Sequence, residues 1–435
     1  MRTSFPSLRP YLLWLALLST SPLLQGQADA QLPFLPDQLA AQWQQPAYLA
    51  GLASHSIQLG AYGGYGAGSR HLSLSRIYGS SGYLDTETKE AILSELQPDN
   101  LFRIDARAGG MVALRGAGLP LSVSYRRASV NTLRFAQPHT LGLVLFGNAR
   151  YAGENLSDED VALFRMTYDE IGLGTAFGGE TWQVGFRLKG LLSTQAEQLD
   201  LSYSLFTEAE GAYLDLGLTY DYVRQTRRGG GFGLDLGATY QLGPQWTLQL
   251  AALDLGALRI SGDRFQLEES LSYEGVALTD VLAGDWQNPG NLFAVDSLQD
   301  LVLASAEADG RWLALPGQVQ LGAAFAATER DRVLAQVAWG LQPTSDARPA
   351  PRVSLGYQRQ TWDLLSLGVH AYGGGIDDWG WGASLAGTFQ TAATVRTSAF
   401  VSYQMGRSLG IVQADQLRSL YLSAGLNFAL TQAEK

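Results

Sequence analysis

The chain has 435 residues, no cysteine and a formal net charge of −11 at pH 7. The lack of thiols excludes disulfides, thiolate metal sites and a lipid-acceptor cysteine, and the acidic balance argues against nucleic acid, whose phosphates call for basic patches. Charged residues make up 16% of the chain, below the roughly 25% of soluble domains, and 50 glycines suit a chain that alternates tight turns with small inward-facing side chains.

The first thirty residues read as a secretory signal. Arg2 and Arg9 supply the positive region, residues 11–18 (YLLWLALL) the apolar run, and Ala28-Asp29-Ala30 the small-residue cleavage site. Cleavage is expected between Ala30 and Gln31. The rest carries no apolar run near the roughly 18 residues of a membrane helix. What recurs instead is alternation. Residues 31–54 form a polar lead-in containing prolines, expected on the periplasmic side or in a barrel mouth. Ile57, Leu59 and Ala61 then oppose Gln58 and Gly60. The glycine-rich GAYGGYGAG that follows is no phosphate loop, because no helix pattern succeeds it.

Residues 86–96 predict a short helix capped by Asp85 or Thr86, with Ile92, Leu93 and Leu96 on one face. Leu121, Val123 and Tyr125 face one side and Ser122, Ser124 and Arg126 the other. A second helix is expected over SDEDVALFRMTYDE, capped by Ser157. Both helices suggest plugs or periplasmic caps. Trp182, Val184, Phe186 and Leu188 alternate with Gln183, Gly185, Arg187 and Lys189. Two inward cations suit a wet lumen and not a dry sandwich core. Leu199, Leu201, Tyr203 and Leu205 continue the code against Asp200, Ser202 and Ser204, and residues 226–229 (TRRG) read as a basic turn.

The clearest hairpin lies in residues 229–256. Phe232, Leu234, Leu236, Ala238 and Tyr240 share one face and Gly233, Asp235, Gly237 and Thr239 the other; residues 241–244 (QLGP) make the turn. Trp246, Leu248 and Leu250 then alternate with Thr247 and Gln249. Apolar outside and small or polar inside is the signature of a transmembrane barrel strand pair. Residues 261–316 look like one long insert, a plug or loop with a helical stretch at 297–306. Hairpins return from Val319, and a last amphipathic strand over residues 420–430 would meet the first and leave no edge. The fold class is therefore all-β: one antiparallel transmembrane β-barrel over residues 31–435, of about 14 strands with a range of 12 to 18, carrying short plug or cap helices.

Residues 168–174 (YDEIGLG), 184–191 (VGFRLKGL), 231–237 (GFGLDLG) and 254–256 (DLG) carry a resemblance. The block from residue 101 to 261 resembles an uncharacterised family of Bacteroidota outer-membrane proteins, the domain of unknown function numbered 5723. The resemblance extends more weakly beyond residue 261. It implies an outer-membrane barrel similar in architecture to long-chain fatty-acid-type transporters and to barrel partners of the type IX secretion system. It implies location and fold but no established ligand.

Candidate lumen-lining residues are Arg126, Arg187, Lys189, Asp200, Asp235, Arg352, His370 and Arg396, read more readily as ion pairs that stiffen a closed lumen than as a solute path. Asp235 and Asp254 both precede Leu-Gly, a context for turn or bulge chemistry. The histidines show no metal-ligand spacing, and no cofactor is called for. His370 with Ser366 and Asp377 or Asp378 is the one arrangement a hydrolase could use, a third choice. The first is a barrel that binds or passes small hydrophobic molecules across the outer membrane, in contact with its lipid. The second is a scaffold or secretion-system barrel that docks another protein.

Overall fold

The computed structural model describes residues 39–54, 57–78, 85–116, 119–210, 213–274, 307–341, 351–362, 364–376, 378–392, 394–407 and 416–430. The first strands are β1 (Ile57–Ser69), β2 (Asn100–Gly116), β3 (Leu119–Phe135), β4 (Asn155–Gly178) and β5 (Trp182–Thr207). Next come β6 (Tyr213–Arg227), β7 (Gly229–Leu242), β8 (Trp246–Glu274), β9 (Glu307–Ala314) and β10 (Gln318–Ala326). The remainder are β11 (Asp331–Gly340), β12 (Arg352–Trp362), β13 (Leu365–Gly373), β14 (Trp379–Ala392), β15 (Val395–Gly406) and β16 (Ser419–Leu430).

Every pairing is antiparallel, and β16 returns to β1 from Ile57↔Leu430 to Gly68↔Ser419. The sheet is thus closed, as any strand structure in lipid must be. Two staves are broken without changing direction. β6 and β7 both lie between β5 and β8, so residues 226–229 form a kink in one long stave and not a turn. Likewise β9 and β10 both pair with β8 and continue each other past Pro316. Sixteen segments therefore make a barrel of fourteen staves.

The outer surface follows the alternation. Leu119, Leu121, Val123 and Tyr125 are exposed on β3, as are Ile171 and Leu173 on β4 and Leu248 and Leu250 on β8. In water this surface would aggregate; in a bilayer it is the lipid contact. It ends on β3 at Arg127, which with Tyr125 meets Asp169 of β4. Short connections join the strands at one end of the barrel, here the turn rim; the longer ones lie at the other, the loop rim. β4, β5 and β8 have 24, 26 and 29 residues, whereas a barrel strand crosses lipid in about 9–11. They stand far beyond the apolar surface on the loop side.

Among the described residues, three short α-helices occupy the loop rim: α1 (Leu74–Tyr78), α2 (Thr86–Glu95) and α3 (Pro138–Phe146). Asp85 caps α2, its carboxylate accepting from the Thr88 N–H at 2.7 Å, as the sequence predicts. Ile92, Leu96, Leu141 and Leu145 bury against Phe135 and Val161, so these helices cap the projecting strands and neither plug the lumen nor cap the turn rim. The helix expected over SDEDVALFRMTYDE is instead part of β4. Its apolar residues fall on both faces: Phe164 and Met166 face the interior, while Val161 lies under the α2–α3 cap. With both faces covered, the period-two contrast disappears from the sequence. The expected insert over residues 261–316 is strand at both ends, in β8 and β9; the helix expected at residues 297–306, the cleavage site and residues 431–435 lie outside the described residues.

Candidate functional site: a plugged and charged lumen

The plug comes from the lead-in. Two 3-10 segments, Leu39–Trp43 and Pro46–Ser54, lie inside the barrel toward the turn rim. Leu39 and Ala41 are fully buried, and the Trp43 ring meets Tyr62 of β1 at 4.5 Å. The wall makes room with glycine. Gly185 of β5 and Gly237 of β7 are direct partners. A Cβ on Gly185 would collide with the Pro46 carbonyl oxygen, and one on Gly237 would collide with the Gln45 side chain. Gln45 donates to the wall carbonyls of Leu250 at 3.1 Å and Ala238 at 3.3 Å. The Arg187 guanidinium donates to the Gln42 carbonyl.

Above the plug, the wall carries a charged belt. Lys189 Nζ lies 2.5 Å from both Asp235 Oδ1 and Asp254 Oδ1 and 3.6 Å from Glu170. Arg126 reaches Glu170 at 2.5 Å and Asp254 at 2.8 Å. Arg187 stands 3.4 Å from Asp235, and Arg107 stands 3.8 Å from Asp254. Four cations (Arg107, Arg126, Arg187, Lys189) face three carboxylates (Glu170, Asp235, Asp254), all buried. Such a cluster is tolerable only because each charge meets an opposite one.

Arg126, Arg187, Lys189 and Asp235 thus come together as lumen residues; Arg107 and Glu170, not singled out in the sequence, and Asp254, read there only as turn or bulge chemistry, complete them. Glu170 was hidden by the helix reading of β4. Asp254 is turned inward by a bulge: the register shifts between Leu234↔Leu255 and Leu236↔Ala252, and Asp254 has φ of 54°. Its N–H donates to Asp235 at 2.7 Å. Strict alternation would have put Asp254 on the lipid face with Leu250. The other candidates lie apart. Asp200 is exposed near the loop rim, where Gln198 donates to it, and Arg396 is exposed near the turn rim. Arg352 and His370 face the lumen on β12 and β13, the Arg352 guanidinium 3.7 Å above the Tyr372 ring. Ser366 and His370 stand four residues apart on β13, roughly 13 Å along the strand, and Asp378 lies past its end, paired with Arg407. These three make no hydrolase triad, and Asp377 lies outside the described residues.

Beyond the belt the inner wall turns apolar. Ala128 and Val130 of β3, Phe164 and Met166 of β4, Leu258 and Ile260 of β8 and Leu313 of β9 form one buried cluster. On the opposite wall the buried inward side chains are mixed: Ser354, His370, Ser402, Gln404, Ser423 and Asn427 alternate with Tyr372, Phe400 and Tyr421.

Residues 192–394 match the model of a family of unknown function, DUF5723. The DUF5723 match runs from the middle of β5 into the turn after β14, so it begins later than residue 101 and extends well past residue 261. No curated protein matches. Among solved structures, a FadL homologue from Pseudomonas aeruginosa is 12% identical, with TM-score 0.49, covering 95% of this chain and 98% of that one. The Pseudomonas putida toluene transporter TodX is 10% identical, with TM-score 0.46 and coverage of 91% and 94%. The CymD monoaromatic hydrocarbon channel is 11% identical, with TM-score 0.42 and 94% of each chain covered.

Proposed function

We propose that the protein lies in the outer membrane of a Gram-negative cell and binds small hydrophobic molecules, passing them through the barrel. Short turns characteristically face the periplasm and longer connections the exterior, which puts the plug on the periplasmic side. The observation that carries the reading is the apolar inner face of β3, β4, β8 and β9 just beyond the charged belt. A water-filled channel lines its interior with polar side chains, and here the plug, the belt and the apolar cluster follow one another along the same wall. Cells carrying the protein should accumulate a radiolabelled apolar compound faster than cells lacking it. A Met166→Glu variant, confirmed as folded and inserted, should return uptake to the lower level. Equal uptake with and without the protein would dismiss the reading.

A scaffold role is the second reading, favoured by the length of β4, β5 and β8 beyond the lipid-facing surface. It predicts a protein partner that co-purifies in mild detergent and is lost when the projecting strands are shortened.

A further inference from the structure

The plug does not fill the turn rim evenly. It packs closely against β5 and β7, where Gly185 and Gly237 admit its backbone. Nearer the rim, between the segment Pro46–Ser54 and the ends of strands β5, β7, β8, β10, β11 and β12, a crevice of about 360 Å³ remains. Its walls carry amides and hydroxyls, among them Thr247, Gln249 and Gln358, with Ala324 and Leu334 between them. Glu180 and Arg332 are the charged side chains among its described lining. Arg332 falls two residues nearer the turn rim than Leu334, opposite Ala326 and Gln358.

The register places a pair of glutamines further along the same wall. Gln249 lies opposite Gly322, and Gly322 opposite Gln336. One step further from the turn rim, Gln320 lies beside Ala251. The Gln336 amide donates to the Gln320 amide oxygen at 2.9 Å, and both side chains are buried. Ser354 flanks Gln336 on β12, and Arg352 lies beyond it. The glutamine pair therefore lies on the wall between the crevice, which reaches Ala324 and Leu334, and Arg352.

We propose that this crevice is the turn-rim mouth of a path through the barrel, that the Gln320–Gln336 pair is its seal, and that it admits small uncharged molecules while the plug stays seated. The proposal rests on the reading that the barrel passes molecules. Two neutral amides joined by one hydrogen bond form a weak barrier, since such a bond contributes little net once both groups can pair with water instead. The charged belt, by contrast, is held by several buried ion pairs. An ion entering the crevice would lose water without finding an opposite charge beyond Arg332 and Glu180, whereas amides and hydroxyls can satisfy a neutral solute.

The test uses the full chain in planar bilayers, where each rim faces a separate compartment. Gln320→Ala with Gln336→Ala should raise the single-channel current severalfold over the wild type. The chain has no cysteine of its own, so Gln249→Cys in that background can be modified selectively. A bulky water-soluble thiol reagent added on the turn-rim side should then block the added current. Gln336→Ser alone, a milder change, should give a smaller rise if the double variant folds poorly. Wild-type current in both open variants would overturn the proposal. So would an added current that persists after mass spectrometry shows the introduced thiol fully modified. Either result would leave the uptake experiment with apolar compounds standing, because neither glutamine belongs to the apolar face.

Discussion

Lys189→Met offers the sharpest test of the charged belt. Lys189 Nζ is fully buried and serves three carboxylates: Asp235 and Asp254 at 2.5 Å and Glu170 at 3.6 Å. Removing it leaves three cations facing three carboxylates. Asp254 keeps Arg126 at 2.8 Å, and Glu170 keeps Arg126 at 2.5 Å. Asp235 keeps one cation, Arg187 at 3.4 Å, and the Asp254 N–H at 2.7 Å. Breaking a buried pair from one side costs about 3–5 kcal/mol, and the remaining partners place this variant near the lower end of that range. Asp235→Asn should cost more, because four cations would then face two carboxylates. The double variant Lys189→Met with Asp235→Leu removes both members of the closest pair and should recover part of the loss, a coupling that a double-mutant cycle measures. Urea unfolding in lipid vesicles, followed by tryptophan fluorescence and by the gel-mobility shift of the folded barrel, gives the free energies. A loss below about 1 kcal/mol for Lys189→Met, the range of exposed pairs, would show that the belt is hydrated and not a dry seal.

Leu250→Arg should obstruct insertion by about 2–4 kcal/mol, the cost of a cation on the lipid face near the bilayer midplane; Gln249→Arg, one residue away and facing inward, should insert normally. Equal gel-mobility shifts for the two would contradict the assigned faces. Gly185→Leu places a side chain where the Pro46 carbonyl now sits, so it should dislodge the plug and raise bilayer conductance without unfolding the barrel. Arg264 donates twice to Asp221 in the projecting strands, at 2.9 and 2.6 Å, and this holds the Asp221 carboxyl below the usual carboxylate range. That pair's contribution is complete above the unfolded-state value near 4 and is lost as pH falls through the lower folded value. Hydrogen exchange in β6 and β8 should therefore stay protected at pH 5 and loosen below about pH 4, and Asp221→Asn should remove that step.

The barrel could be read from the sequence wherever one face met lipid and the other met a wet lumen. β5 near Trp182 and the β7–β8 hairpin alternate cleanly because water and hydrocarbon impose opposite demands on successive residues. The same rule placed Arg126, Arg187, Lys189 and Asp235 inside. It failed where the environment changes. Beyond Asp169, β4 buries both its faces, so Val161, Phe164 and Met166 mimic a helix and conceal Glu170. At Asp254 an extra residue reverses which face points inward, and no local pattern announces the reversal beyond an Asp before Leu-Gly. The kink at Arg228 looks like a turn because Arg-Arg-Gly breaks the alternation, but the stave resumes in the same direction. Asp200 has the inward parity, yet it lies so far up β5 that the inner face there opens to solvent. The plug's docking place was written in Gly185 and Gly237, small residues in strands, whose meaning depends on which distant segment approaches them.

Native mass spectrometry of the barrel released from membranes in mild detergent tests the central claim most directly. The wild type should carry a bound apolar molecule, identifiable after extraction, and Met166→Glu, folded by gel-mobility shift, should carry none. A wild type with no bound apolar species, or a variant that retains the same species in equal amount, would contradict the account.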